Sequence, residues 1–521
     1  MQKVNPILLE IFRNRFSSVA EEMGVVLQRT AFSPNIKERR DFSCAVFDEN
    51  GELVAQAAHI PVHLGSMPLS VKSVIENLDL KEGDMAVLND PFMGGTHLPD
   101  VTVVAPVYVG GKVAFYVANR AHHADIGGFS PGSMPLSNSI FQEGLRIPPL
   151  KIVKSGEINE EVMNFICANV RTPEERRGDF ASQIMANRTG IKRLKEIIEK
   201  YSLEEVKRYS AALMDYSEKI MRKTIENIPD GVYEFEDFME DDGLGAKDVK
   251  IKVKIVIKGD KAVVDFSESD LQVEGSINSV RAITLSAVLY VFRCLVKEDI
   301  PVNAGCMRPI TVITKKGTIV DAEFPAAVSA GNVETSQRIV DVLLGALSKA
   351  LPDFIPAASQ GTMNNVTFGG INPETRKPFT YYETIGGGMG AWAGGDGESA
   401  VHSHMTNTLN TPVEAIEFEY PVRVLKYRIR KGSGGKGLHK GGDGIEREFL
   451  FLTDVEVTVI SERRRIPPYG LFGGEPGLEG ENEVVKGGKR EKRGGKFTEK
   501  LSAGDILTIK TPGGGGWGNL K

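Results

Sequence analysis

A chain of 521 residues is too long for one compact core, so roughly two to four domains are expected. Its 41% hydrophobic and 25% charged residues suit a globular protein in water, and a net charge of −6 lacks the basic excess of a general nucleic-acid binder. No apolar run approaches the roughly 18–20 residues that cross a bilayer, and no basic-then-apolar leader opens the sequence, so a cytoplasmic protein with neither membrane nor nucleic-acid partner is expected.

Ile7, Leu8, Ile11, Phe12, Phe16, Val19, Met23, Val26 and Leu27 follow a 3.6-residue period and predict a helix over 6–31. Two hairpins are expected next. One runs from Asp41 to His59 and turns at Glu49-Asn50-Gly51; the other runs from Asp100 to His122 and turns at Gly110-Gly111. Pro106 cannot donate a ladder hydrogen bond, which predicts an edge strand or an irregular arm there. Residues 156–227 read as helical, with capping boxes at Thr172-Pro173-Glu174-Glu175 and Ser202-Leu203-Glu204-Glu205. From Gly231 to Phe266 the period becomes two, with a half-buried strand over Val249–Ile257 and a turn at Lys258-Gly259-Asp260, and an apolar helix is expected at about 280–297.

Beyond residue 300 glycines gather without a fixed period, as in Gly386-Gly387-Gly388-Met389-Gly390 and Gly513-Gly514-Gly515-Gly516-Trp517-Gly518, so ordered loops among mixed strands and helices are expected rather than a solenoid. The expected class is α+β, multi-domain. It comprises a hairpin-rich region 1–155 bearing the site, a helical segment 156–230, a β-hairpin and helix region 231–300, and a glycine-rich mixed domain 301–521. The basic run Lys486–Lys496 has no interleaved aromatic residue and reads as a solvated loop between two strands. Cys44, Cys167, Cys294 and Cys306 form no CxxC pair and predict reduced, mostly buried thiols.

The most informative feature is a crowd of imidazoles and carboxylates: Asp41, His59, His63, Asp90, His97, Asp100, His122, His123 and Asp125 hold five of the eight histidines. Imidazole and carboxylate are the ligand set of a mononuclear Zn, Mn or Fe site, and the absence of thiolates speaks for a reactive ion over a structural one. In the first hairpin, facing residues sum to about 101, so Asp41 falls opposite Ile60, beside His59; in the second the sum is about 221, so Asp100 falls opposite Ala121, beside His122. Adjacent strand residues point to opposite faces, so only one of His122 and His123 reaches the ion: strict pairing favours His123, whereas a one-residue bulge near Pro106 favours His122. His97 and Asp100, three apart across a short turn, are spaced to meet one ion.

Other motifs fall away. There is no GxxxxGK[ST] and no HExxH. In the GxSxG at Gly128–Gly132, Pro131 lacks the N–H that an oxyanion hole needs after the serine. The GxGxxG at Gly432–Gly437 runs straight into Gly441-Gly442-Asp443-Gly444 where a helix should open, and Cys306 reads as a buried structural thiol.

The chain also resembles a known family along nearly its whole length. The stretches that carry the resemblance include Glu38-Arg39-Arg40-Asp41-Phe42-Ser43, His59–Gly65, Asn89–Asp100, Ala121–Gly128, Glu143–Pro149, Ile300–Cys306, Gly331–Ser336, Glu462–Pro468 and Thr511–Gly516. They resemble the hydantoinase B / 5-oxoprolinase family, which includes N-methylhydantoinase and caprolactamase subunits and relatives in acetone and acetophenone carboxylases. The resemblance implies a hetero-oligomer with a hydantoinase A-type ATPase subunit of actin-like fold, which binds ATP and phosphorylates an amide or ketone oxygen. It further implies that this chain holds one divalent metal (Zn, Mn or Fe), with a metal-bound hydroxide attacking the activated carbonyl of a small cyclic amide. The ligands implied are Asp41, His97, Asp100 and His122, the last chosen over its neighbour by the family match. His123, His59 and Glu143 are the implied catalytic or pocket groups, with His63 beside them. A carboxylase subunit acting on a ketone, and a non-catalytic subunit with a structural metal, are the competing expectations.

Overall fold

The computed structural model describes residues 4–57 and 60–520, so His59 lies outside the described residues. The first helix, α1 (Pro6–Thr30), starts where the Asn5 side chain accepts the Ile7 N–H at 2.9 Å, and it buries Phe12, Phe16, Val19, Met23 and Leu27. Ile7, expected on that face, is exposed.

Both hairpins form, and they join into one sheet. Strands β1 (Phe42–Asp48) and β2 (Leu53–Gln56) flank the Asn50-Gly51 turn, where Gly51 takes φ +77°. β3 (Met85–Leu88) precedes the second hairpin, β4 (Asp100–Val109) and β5 (Lys112–His122), and β6 (Leu150–Lys154) and β7 (Glu157–Ile158) complete the order β2-β1-β5-β4-β3-β6-β7. β1 is buried along its whole length because both faces are covered. Helix α2 (Met67–Asn77) packs with Ala45, Phe47, Val104 and Ala118 on one face; α1 packs with Val46, Val103 and Val117 on the other.

Pro106 is not on an edge strand: β4 lies inside the sheet, between β5 and β3. Its missing N–H is tolerated because the β3 ladder ends at Ala86↔Val104, short of Pro106. The irregular arm is present one residue on, where the register slips between Val107 and Tyr108.

Three helices fill the next stretch: Glu160–Ala168, then α3 (Pro173–Tyr201) and α4 (Leu203–Glu226). The Thr172 box is not formed, since Thr172 makes no side-chain cap; Ser202 does cap, accepting the Glu205 N–H at 3.4 Å. Strands β8 (Gly231–Asp241), β9 (Lys247–Lys258), β10 (Lys261–Asp265) and β11 (Ile310–Ile313) form a second sheet, and β9 alternates buried and half-buried residues as its sequence predicts. β10 and β11 are parallel, so the chain must cross over between them, and helix α5 (Arg281–Leu295) lies in that connection. Helix α6 (Ser336–Leu347) packs on β8 and β9.

The C-terminal strands make two sheets around a second core. One comprises β12 (Asn365–Ile371), β13 (Pro378–Glu383), β16 (Val455–Ile460) and β19 (Lys496–Leu501). The other comprises β14 (Val422–Arg430), β15 (Gly444–Phe451), β17 (Glu481–Lys486), β18 (Lys489–Arg493) and β20 (Ile506–Lys510). Phe368, Val457 and Val459 from the first meet Phe449, Phe451, Leu507 and Ile509 from the second. The basic run is therefore not a loop: β17 and β18 pair through a Gly487-Gly488 turn, and Arg493 binds Glu499.

The glycine clusters are close-packed backbone. A Cβ on Gly388 would stand 1.9 Å from the Gly442 carbonyl oxygen, and one on Gly514 the same distance from that of Met389. Among the described residues no helix is long and apolar enough to cross a membrane. The cysteines are free; Cys44 and Cys306 are buried, but Cys294 is exposed and Cys167 partly so.

Candidate metal centre

The site lies where β1, β4 and β5 end together. Asp100 opens β4 and pairs with His122, the last residue of β5; His122 donates its backbone N–H to the Asp41 carbonyl at 2.9 Å, because β1 and β5 are neighbours. The bulge decides which histidine faces in. Near the turn, facing residues are Tyr108↔Val113, but from Val107↔Phe115 onward the register has slipped by one, which puts His122 opposite Asp100. His97 reaches the same point from the turn before β4.

His97, Asp100 and His122 each offer a ligand atom, and these lie within 4.8 Å of one another, all buried. Asp100 Oδ1 is 3.2 Å from His97 Nε2 and 3.1 Å from His122 Nδ1. A four-coordinate ion with bonds of 2.0–2.2 Å separates its ligand atoms by roughly 3.3–3.6 Å, so the spacing fits. The other ring atom of each histidine matters too. His97 Nδ1 is 3.1 Å from the Ser329 carbonyl oxygen, which requires Nδ1 to carry the proton and turns the Nε2 lone pair toward Asp100 and Asn332. His122 Nε2 is buried with no hydrogen-bond partner, and its ring stacks on Tyr382 at 4.4 Å.

Charge is concentrated on one carboxylate. Burial opposes ionisation of Asp100, but His97, His122 and His63 override it and hold its carboxyl well below the usual range. Burial also works against a proton on His97, yet the adjacent carboxylate prevails and raises that imidazole. At His122 burial wins and the imidazole is lowered. Thr96 donates to Asp100 Oδ2 at 2.6 Å, and His63 Nε2 stands 3.5 Å from the same oxygen.

Asp41 lines the same small cavity with His63, Asp100, His122, Asn332, Met363, Tyr382 and Met405. It stands outside the three-residue group and is 3.7 Å from the guanidinium of Arg39, which lies over the Tyr382 ring. The cavity is about 20 Å3, room for an ion or one water and too small for a substrate ring.

His123 and Glu143, expected at the site, do not face it. His123 turns to the helical side of the sheet, where Nε2 bonds Gln183 Oε1 at 2.9 Å and the ring packs on Phe180. Burial and the nearby Arg176 push its imidazole down to about 4. Glu143 is buried behind the site: Oε1 accepts the Val328 and Ser329 N–H groups at 2.8 and 2.9 Å and the Ser137 hydroxyl. It thereby holds the backbone whose Ser329 carbonyl orients His97. Asp90 caps the short turn at Pro91, and Asp125 pairs with Arg171, so both have local roles.

Sequence reasoning missed Asn332 as a site residue. Its Nδ2 lies 3.0 Å from His97 Nε2 and 3.2 Å from Asp100 Oδ2. It sits on a π-turn, Gly331–Thr335, at the start of α6, a geometry that often marks functional sites. The Gly331-Asn332 motif was visible, but nothing in its spacing joined it to a cluster over 200 residues earlier.

The Hydantoinase B/oxoprolinase family model matches residues 5–520, and the chain belongs to this family. An uncharacterized protein of Methanocaldococcus jannaschii is 44% identical over 99% of this chain and 91% of its own length. The 5-oxoprolinase of Dictyostelium discoideum is also 44% identical over 99% of the chain, but the match spans only 40% of that longer protein. Among solved structures, the ATP-dependent caprolactamase from Pseudomonas jessenii superposes with a TM-score of 0.93 at 28% identity, covering 99% of this chain and 92% of that one. An acetone carboxylase shares the fold (TM-score 0.92, 19% identity, 99% and 76% covered).

Proposed function

We propose that this chain is the metal-holding component of an ATP-dependent cyclic-amide hydrolase and works with a hydantoinase A-type ATPase that activates the substrate oxygen. The observation that carries the reading is the buried His97–Asp100–His122 group in a chain so similar to a 5-oxoprolinase. The 5-oxoprolinase extends well beyond the matched stretch, and we assign the ATPase to that remainder.

The residues suit Zn, Mn or Fe, with Asp41 completing the set from the cavity wall. A divalent ion there supplies Lewis acidity, polarising a carbonyl and making water acidic enough to attack it near neutral pH. The protein does the rest. Ser329 fixes the His97 tautomer, Thr96 steadies Asp100, and Arg39 holds Asp41. His63, on the cavity wall, takes the proton-transfer role that His123 cannot reach. The walls must part to admit a ring, and the Val62–Met405 backbone contact at 3.2 Å is the seam we assign to that opening.

The test is turnover with the ATPase partner added. Ring opening of a lactam or hydantoin that needs ATP but no bicarbonate is expected; turnover that requires a ketone and bicarbonate would establish carboxylation instead.

A further inference from the structure

The side chain of Asn332 is arranged in a way that its present contacts do not explain. Its Nδ2 is shared between His97 Nε2, one of the atoms placed to give a lone pair to an ion, and Asp100 Oδ2, the second oxygen of the carboxylate whose Oδ1 faces both histidines. Its Oδ1 is buried and has no hydrogen-bond partner. An unpaired buried acceptor is destabilising, and here it sits beside two groups that can bind an ion.

The backbone that carries Asn332 is tightly held. Ser336 Oγ donates to the Asn332 carbonyl at 2.6 Å, and Glu334 Oε1, two residues on, accepts from Met363 N and Asn365 Nδ2. A Cβ at Gly331 would come within 1.9 Å of the Asn278 carbonyl oxygen, so only glycine lets the π-turn approach this closely. The side chain is thus aimed at the His97–Asp100 pair by a fixed frame.

An ion bound to His97 and Asp100 would take the His97 lone pair that Nδ2 now uses and would face the amide's N–H groups, a repulsive contact. Rotating the terminal amide by half a turn removes that conflict and presents an oxygen, itself a hard-cation ligand. We propose that Asn332 is a further ligand of the ion: its amide turns over on binding and gives Oδ1 in place of Nδ2. The inference rests on the reading of His97, Asp100 and His122 as an ion site.

The experiment titrates Zn2+ or Mn2+ into purified wild type, Asn332→Leu and Asn332→Asp against a chromophoric chelator, and records the visible spectrum of each after Co2+ loading. Wild type should bind one ion. Asn332→Leu should bind roughly 10–100-fold more weakly and shift the Co2+ spectrum. Asn332→Asp keeps the oxygen and should bind at least as tightly as wild type. A Leu variant within twofold of wild type with an unchanged spectrum would overturn the assignment. So would an Asp variant as weak as Leu, since that pattern means the N–H donor matters. A wild type that binds no ion would remove the ion site itself, so the two failures are distinguishable.

Discussion

Two of the polar clusters buried in the protein are built on different rules. Around Asp237, Asp341 and Glu462 stand Arg338, Arg463 and Lys496, three anions matched by three cations. Around Asp100 stand neutral-capable imidazoles, with two neighbouring polar atoms, His122 Nε2 and Asn332 Oδ1, left unpaired. The first cluster joins β8, α6 and the Glu462-Arg463 segment and balances its charges internally, although Arg338 Nε, Arg463 Nε and Asp341 Oδ1 make no hydrogen bond. The second gathers imidazoles, not cations, around its one carboxylate, which is the donor set of the ion site proposed above. Neither burial nor an unpaired atom marks a site by itself; a carboxylate ringed by imidazoles where several strands end is the more specific sign.

Breaking each cluster should separate the two. Asp237→Ala removes the carboxylate that both Arg338 and Arg463 hydrogen-bond, and should lower unfolding free energy by about 3–5 kcal/mol in urea titrations. The same pairing sets an acid limb. Burial opposes the Asp237 charge, but Arg338 and Arg463 prevail and hold the carboxyl at about 2, so the stability it gives is present above its ordinary value of 3.8 and lost as pH falls through 2. His122→Ala should do the reverse: turnover falls by roughly 10²–10³-fold, while the urea midpoint changes little. An early-melting His122→Ala would instead point to a structural ion.

Glu143 should show the opposite pH sign to Asp237. Burial pushes its carboxyl from 4.5 up to about 7, so the folded state holds a proton that the unfolded chain has released. The stability this gives is full below pH 4.5 and is lost as pH rises through 7; Glu143→Gln should flatten that limb, an effect on the order of 1–3 kcal/mol between pH 4.5 and 7. Smallest of all, His123→Gln should leave ion binding unchanged and cost about 1 kcal/mol through its lost contacts with Gln183 and Phe180.

Part of the site was legible because hairpins obey arithmetic. Turn positions placed Asp41 beside His59 and Asp100 beside His122 or His123, but did not join the two hairpins. The set Asp41, His97, Asp100 and His122 came from the family resemblance, and the bulge is what turns His122 toward Asp100. The bulge itself was not legible: the slip between Val107 and Tyr108 follows from how β4 fits its neighbours, which no local signal encodes. The joining of the two hairpins through β1 and β5 is also a tertiary fact, and it brings the Asp41 backbone to His122 more directly than the proposed facing of Ile60 did. Long-range partners were invisible for the same reason. Ser329 and Asn332 reach His97 from 232 and 235 residues away. Glycines beyond residue 300 read as loops; in space they let backbones stack, a role that composition alone cannot distinguish from a turn.

The central claim is that the cluster around Asp100 is an ion site, and metal analysis of wild type and Asp100→Ala tests it most directly. After saturation with Zn2+ or Mn2+ and removal of free ion, wild type should retain about one equivalent and a folded Asp100→Ala nearly none. Equal content in the two proteins would contradict the account.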